Sequence, residues 1–338
     1  MSDNELRTVC AGLGFVGGST HVPSFRKVPN SRLVGVIVKT AQDEQFALRQ
    51  KDKYGIDIYY DWDVVCRDPG VDAVCIAVPT PFHYELAKKA LESGKHVYLE
   101  LPMAPELSKA EELGRLAEAK NLVLMPALNF RRAPCYVKAR DLFEAGAIGE
   151  PIALMFREFI AAEDLAKQWP LSSWAWDAKK SGGYPDFTLS VWSLDMFRWF
   201  FRTEIENAEW AANYKSIEGV NDFKGYQTVG IIRMKNGVVG SVTYGSSVAK
   251  GQETSRFEIL GNNGKTIVVD WNDRVTVVGR GDDKQFWKLE PKGPEAWGHK
   301  QLIAHFVQVC LGNEAPEFTY EDAVAAQKWA AKMVSELI

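Results

Sequence analysis

Short apolar runs alternate with amphipathic segments over the first 126 residues. The apolar runs are 8–11, 33–38, 71–78 and 96–100. The segment that begins at His83 has apolar positions at helical spacing and ends at Gly94, and Ser108 with Glu111 has the spacing of a capping box before a further helix. Strands that are apolar on both faces and alternate with helices are typical of parallel sheets. The pattern therefore predicts a doubly wound parallel sheet in a domain of residues 1–126.

The pattern changes after about residue 150, where shorter turns separate the apolar runs. The predicted strands are 151–159, 206–214, 226–234, 238–246, 255–260, 265–270 and 275–278, and the predicted helices are 184–201, 297–311 and 320–337. Consecutive strands joined by short turns form antiparallel sheets. We therefore expect an α+β domain over residues 127–338 with a large, mostly antiparallel sheet, whose C-terminal helix can pack back on the first domain.

Composition narrows the class of protein. The 338 residues are 46% hydrophobic and 25% charged, as in soluble globular proteins, and the net charge of −4 argues against nucleic-acid binding. The chain contains no apolar run long enough for a membrane span, and its first residues do not resemble a signal peptide. The five cysteines form no CxxC pair. We expect a cytoplasmic protein with reduced thiols and no metal site.

A glycine-rich segment follows the first predicted strand. It consists of Gly12, Leu13, Gly14, Phe15, Val16 and Gly17, which together match the motif GxGxxG. In this motif the first glycine permits a tight turn, the second lets a pyrophosphate approach the backbone, and the third lets the helix pack closely on the strand. The helix N-terminus offers free N–H groups to the phosphates. The strand–turn–helix–strand context therefore predicts a Rossmann domain that binds a dinucleotide.

The end of the second strand bears on the choice between NAD and NADP. An acidic residue at this point normally accepts a hydrogen bond from the adenosine ribose of NAD. Here Val38 occupies that position, and Lys39 and Thr40 follow. A lysine and a hydroxyl can hold a 2′-phosphate by charge and hydrogen bonds. We therefore expect NADP(H) as the favoured cofactor, with NAD(H) as the alternative if Lys39 is only a solvated loop residue.

Several further motifs, in their order and spacing, resemble the Gfo/Idh/MocA family, named after glucose-fructose oxidoreductase and inositol dehydrogenase. They include the glycine motif with His21 after it, then 80–83, 90–97, 129–131, 146–150, 182–195, 258–261 and 319–323. The resemblance implies a Rossmann domain, an α+β second domain, bound NAD(P) and an active site between them. It also implies that the nicotinamide side is shaped by Pro79, Thr80, His83, Glu100, Leu101 and Pro102.

Three positions depart from that family. Its Glu-Lys-Pro motif is here Glu100-Leu101-Pro102, and its later aspartate and histidine positions hold Thr188 and Trp192. Oxidation of an alcohol needs a base to take the hydroxyl proton, and such a base contributes about 10²–10⁴-fold. Neither leucine nor tryptophan takes a proton, and a threonine would need activation. Sugar oxidation by the usual residues of the family is therefore not expected.

Three explanations stay open. The protein can be a reductase of a small cytosolic metabolite with an activated C=C, C=N or C=O group, which is our leading interpretation. The acid–base role can have moved to Tyr184, Asp186 or Lys180 in a sugar-type dehydrogenase or redox-neutral enzyme. The third explanation is a catalytically silent NAD(P)-binding sensor or regulatory protein.

The remaining candidates concern the substrate and the assembly. Residues that the resemblance or an aromatic cluster brings to the substrate are Arg131, Trp174, Trp176, Thr188 and Trp192. Clustered aromatic rings are typical of sites that stack on planar or sugar ligands, although they also pack in cores. A large sheet open on one side often forms a dimer face. We expect a small-molecule substrate and a homodimer or homotetramer formed through the C-terminal sheet, with no nucleic-acid or membrane partner.

Overall fold

The computed structural model of the protein describes residues 4–337, which divide into two compact units. The first unit comprises the chain up to Asn129 together with Gly293–Ala325. The second comprises Phe130–Lys292 together with the residues from Ala326 onward. The predicted ranges of 1–126 and 127–338 keep each domain continuous, whereas each compact unit also takes a segment from the C-terminal part.

The elements follow one another in two stretches of different character. The strands are β1 (Leu6–Ala11), β2 (Ser31–Ile37), β3 (Asp57–Tyr59), β4 (Ala73–Ile76), β5 (His96–Leu99), β6 (Leu124–Pro126), β7 (Pro151–Ala161), β8 (Ile205–Ser216), β9 (Lys224–Met234), β10 (Val239–Val248), β11 (Thr254–Gly261), β12 (Thr266–Asp270), β13 (Arg274–Val278) and β14 (Lys284–Lys288). The α-helices are α1 (Val22–Phe25), α2 (Ala41–Tyr54), α3 (Trp62–Arg67), α4 (His83–Glu92), α5 (Leu107–Ala119), α6 (Pro134–Glu144), α7 (Ala162–Gln168), α8 (Ala178–Ser181), α9 (Pro185–Phe201), α10 (His299–Cys310) and α11 (Tyr320–Leu337).

The sheet of the first unit is parallel and has the strand order β3-β2-β1-β4-β5-β6. This order is that of a dinucleotide-binding Rossmann fold, and it confirms the predicted doubly wound sheet. The order reverses between β1 and β4, and ligands of such sheets bind beside the carboxyl ends of the strands at that point. All four residues of β4 are buried, because both faces of the sheet are covered.

In this unit one strand was not predicted and one local prediction is wrong. The three-residue strand β3 was not expected, because so short a run shows no periodicity. The capping box at Ser108 and Glu111 is wrong: α5 begins at Leu107, and its N-cap residue, Glu106, makes no side-chain capping bond. Ser108 therefore lies inside the helix.

The second unit contains an eight-stranded sheet with the order β14-β13-β12-β11-β7-β10-β9-β8. Its strand pairs are antiparallel except for β7 with β10, which confirms a mostly antiparallel sheet. Burial alternates strictly along β11, so one face is covered. We call this the inner face, because Phe257 of β11 contacts Tyr136 of α6 and Phe200 of α9, with ring centroids 5.5 and 4.7 Å apart. The opposite, outer face carries the exposed residues.

Between residues 4 and 337, no helix is both long and apolar enough to cross a membrane. All five cysteines lie in this part of the chain as free thiols. The edge strand β14 was not predicted, since only two of its five residues, Phe286 and Trp287, are apolar.

Candidate functional site

The glycine motif forms a turn that is closed at its ends and open in its middle. Gly12 has a φ of +87°, and a Cβ atom there would lie 2.2 Å from the carbonyl oxygen of Ala77. A Cβ atom at Gly17 would lie 1.7 Å from the carbonyl oxygen of Gly12, whereas one at Gly14 would meet no atom within 4 Å. The backbone at Gly14 is therefore open to a ligand. This is the geometry that a pyrophosphate needs, so the turn fits a dinucleotide.

The two residues between Gly14 and Gly17 differ in exposure. The side chain of Phe15 is 74% exposed, while Val16 is partly buried. The chain continues as a π-helical segment, Gly17–His21, and then as α1. Such π-helical turns are frequent at functional sites.

The end of β2 carries charges of both signs. Lys39 and Thr40 are exposed, and the Lys39 ammonium donates a hydrogen bond to the carbonyl oxygen of Tyr60 at 3.1 Å. The Thr40 hydroxyl accepts from the backbone N–H of Asp43 at 3.1 Å and so caps α2. The Asp43 carboxylate accepts in turn from the backbone of Thr40 at 3.0 Å. Sequence reasoning missed Asp43, because it lies in the helix and not at the end of the strand.

The residues expected on the nicotinamide side follow β4 and β5. Thr80, His83 and Glu100, with Leu101 and Pro102, are buried, whereas Pro79 is only partly buried. The two ring nitrogens of His83 lie 2.8 Å from the carbonyl oxygens of Pro102 and Val78. Burial lowers the pKa of His83. Because a neutral imidazole has one N–H, His83 donates to one of these two carbonyl oxygens, and its ring lies between the two segments.

Glu100 belongs to a buried group that the sequence did not indicate. His21 Nε2 lies 2.6 Å from Glu100 Oε1, and the ring of His299 lies 5.3 Å from that of His21. Burial raises the pKa of Glu100, but the bond from His21 and the nearby imidazoles outweigh it and leave that pKa lowered. Burial and the neighbouring His21 lower the pKa of His299 to about 4.

Each of these three side chains offers one possible metal-ligand atom, and the three atoms lie within 4.8 Å of one another, close enough to hold one ion. However, the Nδ1 atoms of His21 and His299 have no partner among the described residues, whereas metal-bound histidines normally have their second nitrogen hydrogen-bonded. We therefore assign His21 and Glu100 to a buried hydrogen-bonded pair. Sequence spacing did not reveal the group, because its members are far apart along the chain.

Arg131 is held by an ion pair within the second unit. Its Nε and Nη2 donate to the two carboxylate oxygens of Asp195 at 2.8 and 2.6 Å, and both residues are buried. This bidentate pair neutralises the charge that was expected to face a substrate. Thr188 is buried and Trp192 is partly buried, one turn apart in α9.

The three residues suggested for a relocated acid–base role have different surroundings. Asp186 is buried at the start of α9, where it accepts from the Tyr214 hydroxyl at 2.7 Å and the Thr228 hydroxyl at 2.6 Å. Burial raises the pKa of Asp186, although these two bonds oppose the effect. Lys180 is exposed and pairs with Asp177 at 3.0 Å. Lys180, which lies in α8, is therefore a surface residue.

Tyr184 and Trp176 lie together and line one cavity, and Lys180 is not among the residues that line it. Their ring centroids are 5.6 Å apart, and the Tyr214 ring lies 5.1 Å from that of Tyr184. These side chains line a cavity of about 530 Å³, together with Leu171, Lys224 and Leu337. Trp176 also donates its indole N–H to the carbonyl oxygen of Trp169 at 2.9 Å. Trp174 belongs to the same 3₁₀ turn and is partly buried.

Comparison with protein families identifies the class. Residues 6–128 match the model of an oxidoreductase family with an NAD-binding Rossmann fold. Residues 136–267 match the Gfo/Idh/MocA C-terminal domain. The two matches cover most of the chain, and the chain therefore belongs to the Gfo/Idh/MocA family. The resemblance expected from the motifs is confirmed.

Known relatives are distant. Myo-inositol 2-dehydrogenase of Thermotoga maritima is 26% identical over 277 residues, which are 81% of this chain and 78% of that protein. Two uncharacterised oxidoreductases, from Synechocystis and Escherichia coli, are matched over only 52% and 41% of their own lengths.

Solved structures share the fold over nearly the whole chain. GenD2 from gentamicin A biosynthesis, in complex with NAD, superposes with a TM-score of 0.79 at 20% identity, covering 99% of this chain and 93% of that one. Biliverdin reductase from Synechocystis sp. PCC 6803, in complex with biliverdin and NADP+, has a TM-score of 0.78 at 18% identity, covering 98% and 99%.

Proposed function

We propose that the protein is a reductase that uses NADP(H) to reduce an activated C=C, C=N or C=O group in a small metabolite. The observation that carries this proposal is Leu101, which is buried at the position where the family has its lysine. Without that lysine, and with Thr188 and Trp192 at the other two positions, alcohol oxidation lacks its usual base. Reduction of an already polarised bond depends more on the position of the substrate and less on a strong base.

The cofactor would be held by residues of the first unit. The open backbone at Gly14 fits the pyrophosphate, and the exposed ammonium of Lys39 and hydroxyl of Thr40 support binding of a 2′-phosphate. Asp43 opposes it, although its carboxylate is already occupied by backbone N–H groups. When bound, the nicotinamide supplies the hydride. Among proteins of this fold, GenD2 is found with NAD and biliverdin reductase with NADP+.

A fluorescence titration of the nucleotide-stripped protein with NADPH and NADH tests the cofactor. We expect tighter binding of NADPH, and Lys39→Ala should remove that preference by weakening NADPH binding about tenfold, or about 1.4 kcal/mol. Lys51→Ala is the matched control, since Lys51 is an exposed lysine at the other end of α2. Equal binding of both cofactors by the wild type would refute the NADP preference, and binding of neither would refute the proposed function.

A screen of NADPH consumption tests the reaction. The panel should pair each activated carbonyl, imine or conjugated compound with the corresponding alcohol or amine, and it should include myo-inositol. We expect reduction of one activated class and no oxidation of the polyol. Cofactor binding without any turnover would support the silent alternative, and rapid oxidation of myo-inositol would support a relocated base.

We also propose that the protein forms a homo-oligomer through the outer face of the second sheet. Val229, Ile231 and Val239 lie on adjacent strands of this face and are 40%, 65% and 44% exposed, with Met155 nearby at 36%. A patch of this kind on one face suits a two-fold interface. Light scattering should give a dimer or tetramer for the wild type, and Ile231→Asp should shift it toward the monomer. A monomeric wild type at micromolar concentration would contradict this.

A further inference from the structure

The cavity of the second unit lies beside β8, which forms one edge of the sheet. Tyr214 of β8 lies opposite Tyr226 of β9, and Ser216 lies opposite Lys224. Residues opposite each other in an antiparallel pair share a face, and so do residues two apart along a strand. Tyr226 is completely buried, so this is the inner face. Tyr214 and Lys224 therefore project to the same side of the sheet, where both line the cavity.

Three aromatic rings from separate segments line this cavity. The ring centroid of Tyr184 lies 5.6 Å from that of Trp176 and 5.1 Å from that of Tyr214. All three side chains are only partly buried, so part of each ring surface is open to a ligand. Leu171 and Leu337 add apolar surface. Walls of this kind favour a flat, apolar ligand that stacks on the rings.

Hydrogen bonds hold these walls in place. Trp176 donates its indole N–H to a backbone carbonyl oxygen at 2.9 Å, and Tyr214 donates its hydroxyl to the buried carboxylate of Asp186 at 2.7 Å. The backbone N–H of Leu171 donates to the carbonyl oxygen of Asp222 at 2.8 Å, which attaches this loop to the connection between β8 and β9. A ligand that enters a cavity with fixed walls loses little free energy to their ordering.

One lining residue carries a charge. Lys224 is exposed, and within residues 4–337 its ammonium makes no ion pair or hydrogen bond. No acidic residue of that part of the chain lines the cavity, since Asp186, which holds the Tyr214 hydroxyl, is not among the lining residues. The cavity therefore offers one cation to an anionic ligand.

Few other polar atoms remain for a ligand. The indole N–H of Trp176 and the hydroxyl hydrogen of Tyr214 are already donated, so the described lining side chains offer the Lys224 ammonium and the Tyr184 hydroxyl. A polyol would find too few partners for its hydroxyl groups here, and unpaired hydroxyl groups cost free energy. A flat ring with one anionic group matches these walls better.

We propose that this cavity binds a small aromatic carboxylate, with its ring against Trp176, Tyr184 and Tyr214 and its carboxylate on the Lys224 ammonium. The volume of about 530 Å³ is that of a small-molecule site and has room for two fused rings. Every lining residue belongs to the second unit, and none is among those that would hold the cofactor. The inference therefore goes beyond the proposed function and does not depend on it.

The first test compares three probes by isothermal titration calorimetry on the full-length, nucleotide-stripped protein. 2-Naphthoate has a flat ring and a carboxylate, 2-naphthamide has the ring without the charge, and cyclohexanecarboxylate has the charge without a flat ring. We expect one site for 2-naphthoate with a Kd of about 0.1 mM, and binding of each other probe at least about fivefold weaker. No binding of 2-naphthoate at about 2 mM, or equally tight binding of either other probe, would overturn the proposal.

The second test locates the carboxylate. Lys224→Gln should weaken the binding of 2-naphthoate about fivefold and leave that of 2-naphthamide unchanged, because only the anion loses a contact. Lys215→Gln is the matched control, since Lys215 is an exposed lysine next to Tyr214 on the opposite face of β8. If both variants weaken the binding of 2-naphthoate equally, the effect comes from overall charge and the proposal is wrong.

The third test locates the ring. Trp176→Leu should weaken the binding of 2-naphthoate about tenfold, whereas Trp174→Leu, in the same 3₁₀ turn but outside the cavity lining, should change it less than about twofold. Tyr184→Leu gives a second measurement that disturbs no hydrogen bond of that side chain within the described residues. Unchanged binding in both Trp176→Leu and Tyr184→Leu would place the ligand elsewhere and overturn the proposal.

Discussion

Replacing Glu158 by glutamine should stabilise the protein at alkaline pH and not at acidic pH. The folded protein holds the Glu158 proton up to a pKa of about 7, whereas a glutamate in an unfolded chain releases it near 4.5. Between these values the folded state binds more protons than the unfolded state, so the free energy of unfolding falls as the pH rises. Glutamine stays neutral and is free of this loss.

The magnitude follows from the separation of the two pKa values. At about 1.36 kcal/mol for each pH unit, the buried charge costs about 3 kcal/mol above pH 7. Because Glu158 keeps some exposure, solvent screening makes this an upper figure. Below about pH 4.5 both states hold the proton, and the cost disappears.

Urea unfolding followed by tryptophan fluorescence at pH 5 and pH 8 measures this difference. Nine of the eleven tryptophans belong to the second unit, so the signal reports on the unit that contains Glu158. Glu158→Gln should exceed the wild type by about 2–3 kcal/mol at pH 8 and by much less at pH 5. Glu209→Gln should differ little from the wild type at either pH, because Glu209 is exposed.

An equal effect of Glu158→Gln at both pH values would refute the reasoning, since it would show that the carboxyl is not held neutral by the fold. A destabilised variant at pH 8 would refute it more strongly, because it would reveal a favourable partner for the charge.

Four other substitutions should give contrasting results. Gly14→Ala should leave the free energy of unfolding nearly unchanged and weaken NADPH binding at least tenfold. Gly17→Ala should lower the free energy of unfolding in urea by about 1–3 kcal/mol, because its Cβ atom would lie 1.7 Å from a carbonyl oxygen. Asp195→Ala, which leaves Arg131 buried without its carboxylate, should cost about 3–5 kcal/mol by the same measurement. The pKa of Glu100 is lowered in the folded protein, so its carboxylate should stabilise the fold above about pH 4.5, and this stabilisation should be lost as the pH falls through the folded-state pKa. Glu100→Gln should therefore make the free energy of unfolding depend less on pH in the acidic range.

Much of the architecture followed from periodicity. Runs that are apolar on both faces predicted the parallel strands, and β4 and β5 lie within the predicted runs. Residues 255–260 were predicted as a strand of the second sheet, and they lie within β11, along which burial alternates. These patterns are local, because burial on one or both faces is encoded in neighbouring residues. Three-residue strands such as β3 are too short to carry such a pattern.

The glycine turn was also predictable from sequence. The roles expected for Gly12, Gly14 and Gly17 depend on the backbone of a few consecutive residues, and the close approaches at Gly12 and Gly17 agree with them. The same holds for the departures at Leu101, Thr188 and Trp192, which are visible by counting within a motif.

Partners that are distant along the chain were decided by the tertiary structure alone. Arg131 was expected to face a substrate, but it pairs with Asp195, 64 residues away, and His21 pairs with Glu100, 79 residues away. Glu158 had no local signal, since a glutamate in a strand is usually solvated. Its surroundings arise only because β7 lies between β10 and β11 and so places Tyr244 and Ser255 beside it. Charge and pKa depend on what surrounds a group in space, and a linear pattern records only its neighbours in the chain.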